Sequence, residues 1–386
     1  MQWAPNPYAL AQLLGDQLDF ESLYTQAGHK VDGFLRDAFL SGGKHKTMAD
    51  ALAVFQRIAD SSNGPITLAD ALRSPYVRTA AGEYSEYPED KFRRVLPVLL
   101  EISDETFEGH LSADAGELVD DKVDCHDPVQ GALGDCFLIS AMIALAWSRP
   151  ALLQRRLTAS GFRAREQKSF AWHFHATSPV ETEQQQRTVS SLIPLAGKLP
   201  RYARSSSRAE YWPALIEKAY LAKELATDLI DREPTPAEYQ SIARKTGMNP
   251  ALACQSLVGG KVELRILQYT DVGEMFQKPD LLGTPSGVMS KPVMAWTKPS
   301  INVPRDLWEV TGLWPDHAYA LLGTMNDHVV LRNPHGFSTK QHPGYATGSW
   351  ETGGQTITLN EKGVFAIARE LFCAHFEYVG WVDLDD

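Results

Sequence analysis

The sequence predicts an α+β chain, with an all-helical N-terminal domain over residues 1–105 and a second unit over 106–386, itself a helical lobe (106–262) followed by a β-rich lobe (263–386). Three observations carry this division. Up to about residue 105, helix-period stretches such as "YALAQLLGDQLDFESLY", "MADALAVFQRIA" and "FRRVLPVLLEI" alternate with polar or proline-bearing breaks, with almost no β-type alternation. Helix signals then dominate to about 258, through the run after Cys136 and "EYWPALIEKAYLAKELATDLI". Beyond that, short β-type runs take over: "KVELRILQYT", "HAYALLGT", "HVVLRN", "QTITLN" and "FEYVGWVDL". The Gly/Pro-rich segment "KPDLLGTPSGVMSKPVMAWTKPS" among them reads as a long loop.

In the N-terminal domain, "FQRIADSSNGPITLADAL" has the outline of two helices around a glycine-centred loop. With Gly64 as the sixth loop residue, the first ligand position of a calcium loop falls on Ala59, so the segment reads as a helix hairpin that only packs.

With 386 residues and 44% hydrophobic content, the chain is long enough for two or three units with cores of their own. A formal net charge of −11 and the lack of any long Lys/Arg block leave no basic surface for phosphate backbones, so nucleic acid is not an expected partner. The first twenty residues lack the basic and apolar regions of a signal peptide, and the longest apolar run is the dozen or so residues after Asp135. The expectation is a protein with no membrane span in a reducing cytoplasm, although secretion needing no signal peptide leaves no mark. Four scattered cysteines, at 125, 136, 254 and 373, lack the paired spacing of a zinc site or a disulfide framework.

Cys136 stands apart from the other three. The run "CFLISAMIALAW" is apolar on every side, as in a helix buried all round. Pro128, Gly131 and Gly134 supply turn chemistry before it, and Asp135 falls at the N-cap, which places Cys136 in the first helical turn. There the unpaired amides and the dipole favour a thiolate, and the same amides can receive an oxyanion. Cys125, Cys254 and Cys373 read as small buried hydrophobes.

A thiol nucleophile needs a base and a group that orients it. Of eleven histidines, His317 is singled out by "DHAYALLGTMNDHVVLRNPHG", which reads as two β-type runs, 317–323 and 328–333, around a turn at Met325 to Asp327. A turn centred near Met325 sets His317 opposite Asn333, with Cβ atoms roughly 5 Å apart on one face. The asparagine carbonyl can then hold the imidazole in one tautomer. The other histidines, His335 among them, read as solvated or core side chains.

These residues resemble the calpain family of cysteine proteases. "QGALGDCFLISAMIALA" is similar to the family's Q-G-x-L-G-D-C block, and "YWPALIEKAYLA", "SLVGG", "HAYALLG", "VLRNPHG" and "GVFAIARELFCAHFEYV" follow in family order, from roughly 110 to the C-terminus. The resemblance implies a papain-like two-lobed core that cleaves polypeptides through a thioester, with Cys136 as nucleophile, His317 as base and then acid, and Asn333 orienting His317. It further implies Gln130 as a side-chain oxyanion donor and Gly259 and Gly260 as the edge that holds the substrate backbone. Asp127 and Glu217 match two family calcium ligands; their other reading is a loop-capping Asp and a helical Glu paired to a neighbouring Lys. The chemistry itself needs no cofactor, and residues 1–105 would bind a protein partner, recognise substrate or cover the cleft. Three positions depart from the family: Phe137 and His335 stand where tryptophan is usual, and Asp316 where glycine is usual, so that "DHA" is closer to papain-type enzymes. Two rival readings remain: acyl transfer or deamidation by the same triad, and a non-catalytic binding protein on a protease fold.

Overall fold

The computed structural model describes residues 110–112, 117–131, 133–160, 169–177, 185–196, 199–207, 210–243, 249–270, 272–277, 287–298, 311–336, 342–352 and 354–384. The helical domain expected over 1–105, with its Gly64 loop, lies outside them.

Strands β1 (His110–Ser112) and β2 (Pro128–Val129) lead to helices α1 (Cys136–Ser148) and α2 (Pro150–Ala159). Five strands follow: β3 (Ser169–Phe174), β4 (Gln185–Ser190), β5 (Leu192–Ala196), β6 (Leu199–Pro200) and β7 (Arg204–Ser205). Then come α3 (Trp212–Glu224), α4 (Pro236–Ala243) and α5 (Pro250–Val258). After Gly260 the chain gives β8 (Lys261–Ile266), α6 (Val272–Gln277), β9 (Val288–Thr297), β10 (Ala318–Met325) and β11 (His328–Arg332). It ends with β12 (Tyr345–Ala346), β13 (Ser349–Glu351), β14 (Thr356–Thr358), β15 (Val364–Ala368), α7 (Arg369–His375) and β16 (Phe376–Asp383).

The second half is organised by a seven-stranded antiparallel sheet in the order β12-β15-β11-β10-β9-β16-β8. Before it, the strands form small sheets, β1-β5-β6, β2-β7 and β3-β4, beside the helices. The large sheet begins at Lys261, two residues earlier than the boundary expected from sequence.

β9 corrects the long-loop expectation for 278–300. It lies in the middle of the large sheet, between β10 and β16, with Val293, Met294 and Ala295 fully buried. Pro292, which suggested a loop, falls where the ladder is irregular: Val293 pairs with Leu321, and the next β10 partner is Val288, opposite Gly323. Pairing with β16 reaches only to Val293. A proline that cannot donate to a ladder is tolerated at such a break.

α1 is the platform of the molecule. Phe137 to Ala146 are all buried, and the helix packs on β9, β10 and α5. Each large apolar side chain so buried contributes about 1.5–3 kcal/mol relative to exposure, enough in sum to fix the N-terminus of α1 against the sheet. Among the described residues, no single helix is long and apolar enough to cross a membrane.

Candidate active site

The first residue of α1 is Cys136, and Asp135 occupies the N-cap as expected, but its side chain makes no capping hydrogen bond. It is fully buried and faces the carboxyl group of Glu217 on α3. The Cys136 thiol accepts from the N–H groups of Phe137, in its own helix, and Ala318, the first residue of β10. This second contact brings the thiol to the residue next to His317.

His317 is held from several sides. Its N–H donates to Thr297 Oγ1 at 2.9 Å, Thr297 Oγ1 donates to Trp314 O at 2.7 Å, and Thr297 N–H donates to His317 O at 3.0 Å. Tyr319 meets the ring edge-on at 4.8 Å and Trp314 lies 5.3 Å away. His317 Nε2 donates to Asn333 Oδ1 at 3.1 Å. Because that oxygen only accepts, the hydrogen sits on Nε2 and the basic lone pair on Nδ1. Asn333 is fully buried, and its Oδ1 also accepts from the His335 N–H at 3.1 Å.

The predicted partnership is present, but its register is not the predicted one. Ala320 pairs with Arg332, Leu321 with Leu331 and Met325 with His328, around a turn at Asn326–Asp327. Carried past the strand ends, this ladder sets His317 opposite His335, with Asn333 reaching it diagonally. The His317 and His335 rings accordingly stack at 4.8 Å and 9°, and Trp314 lies 4.6 Å from the His335 ring. His335 is therefore a core side chain, the second of the two readings expected for it, and it is stacked on the His317 ring. Asp316, where the family has glycine, takes a left-handed backbone with φ 52°, a region aspartate tolerates better than most residues.

Burial shapes the electrostatics. It pushes the Cys136 thiol up to about 12, against the pull of the Ala318 and Phe137 amides, so the lowering expected from the helix start alone does not prevail. It also pulls His317 down to about 4, although the Asn333 hydrogen bond works in the opposite direction. Near neutrality the Cys136 thiol and the His317 imidazole are therefore both uncharged. Serving as a base, His317 would fail only when protonated, so kcat/KM for a peptide should hold as pH falls through 6.5 and decline only towards pH 4. An acid limb centred near 6.5 in a pH–rate profile would contradict this.

Gln130 follows β2 and is buried. Its N–H donates to Pro334 O at 2.8 Å, which ties it to the turn after Asn333, and its Nε2 donates one hydrogen to Leu133 O at 2.6 Å. The second Nε2 hydrogen gives the amide a donor for an oxyanion. Gly131 beside it must be glycine, since a Cβ there would lie 2.1 Å from Tyr202 O.

Gly259 and Gly260 end α5 with φ of 83° and 91°. A Cβ would meet His175 Nδ1 at 2.8 Å and Asp383 O at 2.4 Å, respectively, so backbone conformation and crowding alone demand glycine at both positions. The Gly260 carbonyl accepts from Gln255 Nε2 at 2.8 Å.

The two carboxylates expected to share calcium are engaged separately. Asp127 Oδ2 accepts from the Asp124 N–H at 2.7 Å, which is the loop-capping role, and Asp127 also faces Trp212 and Glu210. Glu217 accepts from the Ala203 N–H at 3.0 and 3.1 Å and faces Asp135; Lys218 pairs with Glu233 instead. Burial holds Asp135 and Glu217 above the carboxylate range: Asp135 stands at about 7 although the Glu217 hydrogen bond pulls it down, and the Asp135 carboxyl pushes Glu217 further up. A folded pKa raised above the unfolded value stabilises the fold at low pH, and that stabilisation is lost as pH rises through about 7. Asp135→Asn should therefore gain stability relative to wild type as pH increases from 5 to 8 in urea titrations; a difference independent of pH would contradict the pairing.

Sequence reasoning missed Thr297, Trp314, Arg332 and the Asp135–Glu217 pair. Only Arg332 left a signal, as a charged residue ending an otherwise apolar strand beside Asn333.

Comparison with known proteins adds independent findings. The family model described as calpain family cysteine protease matches residues 109–381. A "Thiol protease" of Porphyromonas gingivalis is 25% identical over 279 residues, covering 66% of this chain and 54% of that protein. "Calpain-5" of Mus musculus is 24% identical over 289 residues, covering 66% of this chain and 42% of that protein. The chain thus spans about half the length of the curated relatives it matches.

Proposed function

Because this chain belongs to the calpain family of cysteine proteases, we propose that it is a papain-like cysteine endopeptidase that hydrolyses extended polypeptides through Cys136, His317 and Asn333. The observation that carries the reading is the 3.1 Å bond from His317 Nε2 to Asn333 Oδ1 beside a thiol that accepts from the Ala318 amide at the start of a buried helix.

His317 Nδ1 takes the thiol proton as the Cys136 sulfur adds to the substrate carbonyl. The oxyanion meets the Cys136 N–H and Gln130 Nε2, and its preorganised donors lower the barrier more than they would in water. Collapse expels the amine, which takes the proton from His317 Nδ1, and leaves a thioester on Cys136. Water, deprotonated by the same nitrogen, then attacks the thioester and releases the acid and the thiol. The imidazole is held in place throughout, because Trp314, Tyr319, Asn333 and His335 surround the ring and Thr297 holds its backbone.

The Gly259–Gly260 edge is the candidate surface for the substrate backbone. Asp127 and Glu217 carry the hard oxygen donors that calcium prefers, but they are engaged with different backbone amides and do not fit one calcium site. A peptidyl epoxide tests the reading. It should add one label per chain, on Cys136, and labelling of Cys125, Cys254 or Cys373 instead would overturn it.

A further inference from the structure

Outside the catalytic site, three consecutive side chains of different chemistry meet at the start of the segment that carries Gln130. His126 Nδ1 lies 2.6 Å from Asp124 Oδ1 and 3.7 Å from Cys125 Sγ, and the three ligand atoms all fall within 4.8 Å of one another. We propose that Asp124, Cys125 and His126 form a binding site for one thiophilic divalent cation, zinc being the type, with an oxygen, a sulfur and a nitrogen donor and a fourth position filled by water.

Four features support it. Tetrahedral zinc places its donor atoms about 3.3–3.8 Å apart, so the cluster needs only small side-chain adjustments. Thiolate with imidazole selects zinc, cobalt or copper over calcium or magnesium. A cavity of about 340 Å³, lined by Asp124 and Cys125 together with Lys122, Trp147, Gln154 and Gln355, gives the fourth ligand room and the ion a route in. The frame is also fixed: Arg332 donates to His126 O at 2.9 Å and to Pro128 O at 2.8 Å, while Asp127 holds the Asp124 N–H. A cation here would lock the chain four residues ahead of Gln130, on the strap that Arg332 ties to the Asn333 strand. Spacing rules that look for paired cysteines pass over such a site, because it uses only one.

The test is a cobalt(II) titration of the full chain carrying Cys136→Ala, which removes the catalytic thiol as a competing ligand. One equivalent should produce a thiolate-to-cobalt charge-transfer band in the near ultraviolet with tetrahedral ligand-field bands in the visible. Adding Cys125→Ser should abolish the charge-transfer band, His126→Asn should weaken binding at least about tenfold, and Cys373→Ser should change nothing. The part-exposed His126 provides a second, milder variant should Cys125→Ser fail to fold. No band at all, a band that survives Cys125→Ser, or undiminished affinity in His126→Asn would overturn the proposal. None of these readouts depends on peptide cleavage, so they stand or fall apart from the protease reading.

Discussion

His317→Ala should lower kcat/KM for a peptide substrate by roughly 1,000-fold or more, because the thiol is then left without the group that removes its proton. Burial raises the Cys136 thiol to about 12, so solvent alone generates almost no thiolate near neutrality. Asn333→Ala should cost less, about 10–100-fold, since it leaves His317 in place and removes the bond from its Nε2 that fixes the tautomer and ring orientation, together with the one from the His335 N–H. The two effects should not add: once His317 is gone, Asn333 has nothing to orient, and the double variant should match His317→Ala. Steady-state kinetics of the four proteins checks this, with full additivity as the contrary result.

Arg332→Leu is expected to give the largest loss of stability of any single change considered, about 3–5 kcal/mol. The guanidinium is completely buried and donates to three carbonyls, Pro128 O at 2.8 Å, His126 O at 2.9 Å and Lys362 O at 3.2 Å, next to Asp124 and Asp127. Leucine fills part of the volume but leaves those acceptors and carboxylates uncompensated. Arg332→Lys should recover only part of the loss, because a point charge on a flexible stem cannot span three acceptors held by a planar fork. Urea unfolding of both variants reads this directly. A second consequence is catalytic: two of the released carbonyls, those of His126 and Pro128, belong to the segment leading to Gln130, so kcat should fall even under conditions where the variant is folded.

Local features were the legible ones. The apolar run after Asp135 announced a helix buried all round, and α1 is that helix, with Cys136 at its start. The hairpin that joins His317 to Asn333 was visible as two β-type runs about a turn. Its register was misjudged by two residues, because neither the tight Asn326–Asp327 turn nor the ladder irregularity between Leu321 and Gly323 has a clear pattern. The prediction of shared facing survived, since side chains alternate with a period of two and an even shift preserves the face. What the sequence hid was decided by distant neighbours. Pro292 and the glycines around it argue locally for a loop, whereas the central place of β9 is set by strands that lie far away along the chain. Likewise a helix start argues for a low thiol pKa, but the burial that outweighs it comes from the sheet. Nothing local distinguishes the calcium-ligand reading of Glu217 from its pairing with Asp135, which lies on a different helix.

In the proposed reaction Cys136 forms an acyl-enzyme that water resolves. Mass analysis of an unstructured protein substrate, incubated with wild type or Cys136→Ala in the presence of calcium or of a chelator, examines that claim most directly. Hydrolysis predicts peptide fragments from wild type alone, the two products of each cut together weighing one water more than the uncut chain. A substrate left at full length, whether unaltered, about one dalton heavier from deamidation, or crosslinked to an amine, would contradict it, as would fragments produced equally by Cys136→Ala.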